Sequence, residues 1–164
     1  LDHAAHLDAL LARSTAALRT RLGSERDAWL ARHARIVGPL ALGVLPPAET
    51  LGIPAGQRGP IDDWREQMHF AACTADSNCI GVVRPGGAQQ RCRAVLAFGG
   101  ERVRNGALPQ SRITPAERAD PAAYFEGRNP AALRHGIPDF EGSERFSAPD
   151  RNQPATGDVI RCLF

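Results

Sequence analysis

One apolar stripe in the first quarter of the sequence limits what this chain can fold into. Leucines recur there at spacings of three, four and seven residues, which is the repeat of one face of an α-helix. The leucines of this stripe are Leu7, Leu10, Leu11, Leu18 and Leu22. Residues 1–36 are therefore predicted to be the helical part of the chain. A helix with one apolar face has to bury that face against another element.

A break at residues 23–27 (GSERD) divides this helical part. Ser24 and Asp27 have the spacing of a weak variant of a capping box, which predicts a second helix that begins at Ser24. Gly38-Pro39 predicts where that helix ends. The side chains predicted to form its buried side are Trp29, Leu30, Ile36 and Val37.

Residues 38–63 are predicted to form an irregular connector. The segment GVLPPAETLGIP (43–54) carries three prolines and two glycines, too many for a regular helix. Its apolar side chains nevertheless predict contact with the core, and they are Val44, Leu45, Leu51 and Ile53. Since the whole chain has 13 Pro and 16 Gly, further loops are expected after this connector.

Four later segments have the composition of β-strands. They are 64–72 (WREQMHFAA), 80–83 (IGVV), 91–100 (RCRAVLAFGG) and 157–164 (GDVIRCLF). A long polar region precedes the last one and holds a single short predicted helix, DPAAYFEG (120–127). This order predicts one α+β domain over residues 1–164, with the long helix packed on a small antiparallel sheet formed within residues 64–164.

The chain has four cysteines and no Cys-x-x-Cys pair, so simple zinc and thioredoxin-like sites lack support. An even count is typical of two disulfides in an oxidising compartment, although four buried thiols in a cytosolic protein is the alternative. Three pairings are possible. We favour Cys73–Cys79, which would close the loop TADSN, and Cys92–Cys162, which would tie an inner strand to the C-terminal strand.

All 20 lysine-or-arginine positions are Arg, and the net charge of +2 is too small to indicate a nucleic-acid-binding protein by itself. Five arginines near the two ends of a predicted strand pair are a candidate basic contact surface for DNA or an acidic partner. They are Arg84, Arg91, Arg93, Arg102 and Arg104. An ordinary solvated arginine surface is the preferred interpretation, because no aromatic residues lie between them.

The remaining polar side chains are weak candidates for metal-binding or catalytic residues. His3 and His6 are three residues apart, but no third metal ligand accompanies them. Four carboxylates could bind Ca²⁺ if the fold brought them together, and they are Asp62, Asp63, Asp139 and Glu141. For Asp62 and Asp63 the preferred interpretation is a turn before a strand. Motifs such as HExxH or GxSxG are missing from the sequence. We therefore predict a protein that is not an enzyme and needs no metal or cofactor.

Together these segments resemble the type IV pilin and type II secretion pseudopilin superfamily. The resemblance covers most of residues 25–163. It rests on the proline-containing GVLPPAETLGIP, the strand entry DDWREQMHFAA, the apolar strand RAVLAFGG, the loop DPAAYFEGRN and the last strand GDVIRCL, in that order. The Asp- and Gly-rich calcium loop of major pseudopilins is not matched by HGIPDFEGSERF (135–146), which favours a minor subunit.

This resemblance implies a structural subunit, a minor pilin or minor pseudopilin, that acts by assembly. Its partners would be other pilin or pseudopilin subunits, with DNA or a surface ligand as a further possibility. The full-length protein would be anchored in the inner membrane by an N-terminal apolar helix before Leu1 and would lie in the periplasm or in a cell-surface fibre. The apolar stripe of residues 4–22, with its five leucines, would pack both on the sheet and on neighbouring helices in the core of the fibre. Loops 43–63 and 101–150 would make subunit and ligand contacts.

Two other readings remain open from the sequence. One is a soluble periplasmic binding or adhesion domain with the same layout but no role in a fibre. The other is a small secreted hydrolase, for which the scattered His33, His69 and His135 would have to meet carboxylates in the fold.

Overall fold

The computed structural model describes residues 3–99, 104–105, 108–109, 121, 124–125, 127–144 and 158–164. Helix α1 (His3–Ser24) is followed closely by the short helix α2 (Arg26–His33). The Ser24 hydroxyl donates a hydrogen bond to the Thr20 carbonyl, and α2 has no side-chain cap. The prediction that Ser24 caps a second helix is wrong, because a serine in the last turn of a helix can bond to the carbonyl four residues earlier.

A β-hairpin that the sequence prediction did not include follows α2. Its strands, β1 (Arg35–Val37) and β2 (Leu40–Val44), pair antiparallel. The turn between them is Gly38-Pro39, with Gly38 at φ = 58°, a conformation that glycine adopts at little cost. From the sequence alone, the same Gly-Pro pair predicts the end of a helix. The helical part therefore ends at His33 instead of at residue 36.

The predicted connector 38–63 is only partly irregular. It contains β2 and most of a third helix, α3 (Arg58–Trp64). This helix was not predicted, because the region is rich in proline. Its apolar side chains do enter the core at Leu45, Leu51 and Ile53, but Val44 is exposed. Asp62 and Asp63 belong to α3, so the turn predicted for them is also wrong.

A five-stranded antiparallel sheet is the centre of the fold, with the order β1-β2-β3-β6-β10. Its remaining strands are β3 (Met68–Cys73), β6 (Ala94–Phe98) and β10 (Val159–Cys162). The predicted alternating strand 64–72 is displaced, because Trp64 ends α3 and the strand begins at Met68. All six residues of β3 are buried, since both faces of the sheet are covered at this strand.

The predicted strand 91–100 is divided between two sheets. Its first part belongs to β5 (Gln89–Cys92) and its second to β6. A three-stranded sheet has the order β5-β4-β9, in which β4 (Ile80–Val83) pairs antiparallel with β5 and parallel with β9 (Asp139–Glu141). A short pair, β7 (Arg104–Asn105) with β8 (Leu108–Pro109), forms a separate ribbon.

Two apolar clusters lie on opposite faces of the five-stranded sheet, because successive residues of a strand point to opposite sides. The first holds the leucine stripe of α1 together with Phe70, Leu96 and Phe98. The second holds Leu42, Val95 and Ile160 with residues of a fourth helix, α4 (Asn129–His135), which the sequence prediction missed. The predicted α+β arrangement, with the N-terminal helix packed on an antiparallel sheet, is confirmed.

Two disulfides are present, and they join the predicted pairs. Cys73–Cys79 closes the loop after β3, and Cys92–Cys162 connects the end of β5 to the last strand. The predicted final strand is β10. Of the predicted helix at 120–127, only Pro121, Tyr124, Phe125 and Gly127 lie within the described residues, and the amides of Tyr124 and Phe125 bond to the carbonyl of Pro121.

Candidate functional site

The leucine stripe is the first group of candidate residues to locate. All five side chains are buried in the cluster between α1 and the sheet, and they are Leu7, Leu10, Leu11, Leu18 and Leu22. This face of α1 is therefore occupied within the chain itself. The opposite face is exposed and carries mostly small side chains at Ala9, Ala12, Ala16 and Thr20.

Arg84 was predicted to belong to an exposed basic surface, and the structure places it inside the molecule instead. Its side chain is only 12% exposed and lies where the three-stranded sheet meets β10. Its guanidinium group donates hydrogen bonds to the side-chain oxygen of Gln90 and to the carbonyl oxygens of Gly142 and Ile160. Burial lowers the pKa of Arg84, and the nearby Glu144 carboxylate opposes that shift. Arg84 therefore joins the two sheets and is not free to contact a partner.

The other four predicted arginines do not complete such a surface in the described part of the chain. Arg91 is exposed, whereas Arg93 is half-buried and forms an ion pair with Asp76 at 2.9 Å. Arg102 lies outside the described residues. For Arg104 only the backbone, in β7, is described. The candidate basic surface is thus reduced to single side chains.

Arginines also hold the outer side of β10. Arg19 of α1 donates hydrogen bonds of 3.0 Å to the carbonyl oxygens of Cys162 and Leu163. Arg161 donates one of 2.8 Å to the Glu144 carbonyl and lies 3.6 Å from an Asp8 carboxylate oxygen. A planar guanidinium can satisfy two acceptors at once. These contacts cover carbonyls that an edge strand would otherwise present to solvent.

A buried polar network fixes the start of β10. Asn129 is fully buried, and its amide group donates hydrogen bonds of 2.8 Å to the Glu141 carbonyl oxygen and to a carboxylate oxygen of Asp158. The Asn129 side-chain oxygen accepts a 2.9 Å hydrogen bond from the Glu141 amide. Arg128 pairs with the carboxylates of Asp139 and Glu141. Asp139 and Glu141 therefore act in this network, whereas the Asp62 carboxylate accepts a 2.9 Å hydrogen bond from the Ala48 amide.

The histidines do not form a catalytic arrangement among the described residues. His33 and His135 lie near the surface, at the ends of α2 and α4. His69 is buried in β3 against the edge of Phe125, with ring centroids 5.2 Å apart. Burial lowers the pKa of His69 to about 4, so its ring is neutral near pH 7. Its Nε2 atom has no hydrogen-bond partner among the residues that the structure describes. Nowhere in the described ranges do three or more potential ligand side chains gather as a metal site requires.

Grooves on the surface are open to solvent and mixed in charge. One of about 320 Å³ lies between α1 and β10 and is lined by Thr15, Arg19, Glu144 and Arg161. Another lies at the corner of α1 and α2, beside the loop closed by the first disulfide, and includes Trp29 and Asp76. Neither groove contains a paired nucleophile and base in the described part of the chain, so neither supports a hydrolytic site.

A basic cluster that sequence analysis missed lies at β1, the end strand of the five-stranded sheet among the described strands. Arg32 lies in the last turn of α2 and Arg35 begins β1, and both side chains are exposed. The last turn of α4, with Arg134 and His135, reaches the same edge, because Gly136 packs against the backbone of Val37. In the sequence these groups are about 100 residues apart, so only the fold shows that they are neighbours.

Comparisons with known proteins do not assign a family. The chain matches no protein-family model, no curated protein and no solved structure. Within the ranges that the structure describes, no helix has both the length and the apolar character needed to cross a membrane. The role of the protein therefore has to be proposed from its own residues.

Proposed function

We propose that this chain is the extracytoplasmic domain of a minor pilin or minor pseudopilin, a structural subunit of a type IV pilus-like or type II secretion fibre. The observation that supports this proposal is α1. This helix of 22 residues buries one leucine face against an antiparallel sheet and leaves its other face exposed. The arrangement agrees with the resemblance carried by the proline-containing connector and the last strand.

The proposed role is assembly, and it involves no catalysis. Two disulfides support an oxidising compartment, which for this role is the periplasm or the cell surface. The proposed partners are other pilin or pseudopilin subunits. The role also implies that the full-length protein is held in the inner membrane, before assembly, by an apolar helix continuous with α1.

Subunit contacts in this proposal use the exposed face of α1. Leu11 and its neighbours in the stripe are buried within the chain, so they stabilise the domain and cannot also contact another subunit. Small side chains such as Ala12 and Ala16 allow another helix to approach closely. Variants on this outer face therefore test assembly without removing core contacts.

The first experiment is to determine the native gene upstream of Leu1 and the intact mass of the mature protein from cells. A short basic leader followed by roughly twenty apolar residues with an early Glu is the expected result, since that length spans a bilayer. A conventional signal peptide cleaved just before Leu1 would reject the fibre role. A soluble periplasmic binding or adhesion domain would then be the better description.

The second experiment tests assembly directly. Ala16→Arg, on the exposed face of α1, is expected to reduce recovery of the protein in sheared fibres while leaving its melting temperature unchanged. Ala88→Arg, in the exposed turn before β5, is the matched control and is expected to assemble normally. If both variants enter fibres as the wild type does, the outer face of α1 is not an assembly surface.

A further inference from the structure

The outer edge of β1 has one residue whose backbone N–H and C=O are paired by no strand in the described part of the chain. Strands β1 and β2 are joined by a two-residue turn, and Val37 pairs with Leu40 while Ile36 lies opposite Ala41. In such an antiparallel hairpin, every second residue directs its N–H and C=O away from the partner strand. Ile36 is that residue in β1. No described strand pairs with this side of β1, which is the end strand of the five-stranded sheet.

The Ile36 side chain is exposed at the same place. It is 66% exposed, the highest value among the large apolar residues that the structure describes as exposed. Isoleucine favours a strand that is at least half covered. Ile137, which follows the last turn of α4, is 46% exposed and comes just after Gly136, the residue that contacts Val37. The edge therefore combines unpaired backbone groups with apolar side chains.

Positive charge surrounds this edge. Arg32 and Arg35 are exposed, and neither has an ion-pair partner among the described residues. Arg134 and His135 add basic groups from α4. On the α2 side, the carboxylates that line a groove together with Arg32 are each paired with another arginine, Glu25 with Arg21, Asp27 with Arg26 and Asp76 with Arg93. On the α4 side, Asp139 is paired with Arg128 at 3.0 Å. The field at the β1 edge is therefore complementary to an acidic partner.

The same charges disfavour a second copy of this chain as the occupant. Two copies joined edge to edge through β1 would bring their arginines together, and like charges at an interface are destabilising. Charged residues next to a short edge strand are a common protection against such self-pairing. An acidic segment from a different protein would meet no such repulsion.

We propose that the outer edge of β1 binds an extended, acidic segment of a partner protein, which adds to the five-stranded sheet as a sixth strand. Backbone hydrogen bonds to Ile36 would fix the segment, and Arg32 and Arg35 would select acidic side chains next to apolar ones. This inference does not depend on the proposed role in a fibre, because any extracytoplasmic domain could use the same edge.

The test uses a fluorescein-labelled peptide of sequence EVEVEVE and measures its fluorescence anisotropy on titration with the protein. We expect saturable binding that weakens with added salt, and weaker binding of KVKVKVK by at least about tenfold. The double variant Arg32→Glu/Arg35→Glu should lose about tenfold or more in affinity for EVEVEVE. The control Arg13→Glu, an exposed arginine on α1, should stay within about twofold.

A second pair of measurements separates strand addition from charge attraction alone. EVEVEVE with N-methyl groups on alternate residues keeps its charge but loses backbone donors, and it should bind at least about tenfold more weakly to the unchanged protein. Equal binding of the methylated peptide, or equal affinity of the double variant, would overturn the proposal. Concentration-dependent dimerisation that is abolished by Ile36→Pro would also overturn it, because the occupant would then be a second copy.

Discussion

The guanidinium group of Arg84 donates a hydrogen bond to the backbone carbonyl oxygen of Ile160, a residue 76 positions later in the chain. The same group bonds to Gly142 and to Gln90. One side chain therefore connects the three-stranded sheet, the segment after β9 and the last strand of the five-stranded sheet. A mostly buried cation with several acceptors is a sensitive point in a fold, because removing it leaves those acceptors unsatisfied.

Arg84→Lys is expected to lower the free energy of unfolding by about 2 kcal/mol, because an ammonium group cannot reach the acceptors that the planar fork holds together. Urea unfolding followed by circular dichroism measures this change. Arg91→Lys, an exposed arginine of β5, is the control and should stay within about 0.5 kcal/mol of the wild type. Equal stability of the two variants would show that the Arg84 contacts add nothing.

Leu11→Ala should destabilise the domain by about 2–5 kcal/mol, because it leaves a cavity between α1 and the sheet. Leu11 is fully buried, whereas its neighbour Ala12 faces solvent. Ala12→Ser should therefore change stability by only about 0.5 kcal/mol. Denaturant unfolding of both variants gives the comparison. If Leu11→Ala and Ala12→Ser lowered the unfolding free energy by similar amounts, α1 would not pack on the sheet through its leucines.

His69 makes stability depend on pH. Its pKa is about 4 in the folded protein, chiefly because of burial, against 6.5 for an exposed histidine. Below pH 6.5 the unfolded state binds a proton that the folded state does not, so stability falls as the pH is lowered. The loss reaches about 3 kcal/mol below pH 4, where both states are protonated. This penalty should be absent from His69→Leu.

Unfolding free energies of the wild type and of His69→Leu, measured between pH 4 and pH 7.5, should therefore differ most at low pH. As the pH falls below 6.5, the unfolding free energy of His69→Leu is expected to rise steadily relative to that of the wild type. His135→Gln removes an exposed histidine and serves as the control. Parallel curves for the wild type and His69→Leu would mean that His69 is accessible to protons in the folded state.

Removal of the two disulfides should have unequal effects. Cys92 and Cys162 are 70 residues apart, whereas Cys73 and Cys79 are six apart. If the crosslinks act mainly on the unfolded chain, Cys92→Ala/Cys162→Ala should cost about 4 kcal/mol and Cys73→Ala/Cys79→Ala about 2 kcal/mol. Thermal unfolding of the two double variants measures the order, and a reversed order would rule out this chain-entropy account.

Local patterns in the sequence predicted some parts of the fold well. The leucine stripe repeats over four turns, so α1 could be predicted from periodicity alone. The last strand was also predicted, and the structure has it at Val159–Cys162. Of the three possible cysteine pairings, the favoured one closes a short loop with Cys73–Cys79 and ties an inner strand to the C-terminal strand with Cys92–Cys162, and both bonds are present.

Other parts depend on contacts that no local pattern contains. Strand β1 has three residues, too few for a repeat, and Gly38-Pro39 suits a helix end as well as a hairpin turn. Strand β3 lacks alternation because it is buried on both faces. From the sequence alone Arg84 is predicted to be a surface residue. The carbonyl oxygens that accept its hydrogen bonds, at Gly142 and Ile160, belong to distant segments of the chain. The basic cluster at β1 likewise exists only because α4 returns to that edge.

The position of β10 has a consequence for how the protein is made. Of the described strands it is the last in the sequence, yet it lies beside β6, whose Phe98 and Leu96 belong to the main core. During synthesis the sheet lacks this strand until residue 162 has emerged, so the core stays open to proteases and chaperones until then. A premature stop even a few codons before Val159 would release a chain with an uncovered strand edge, which cells degrade or which aggregates.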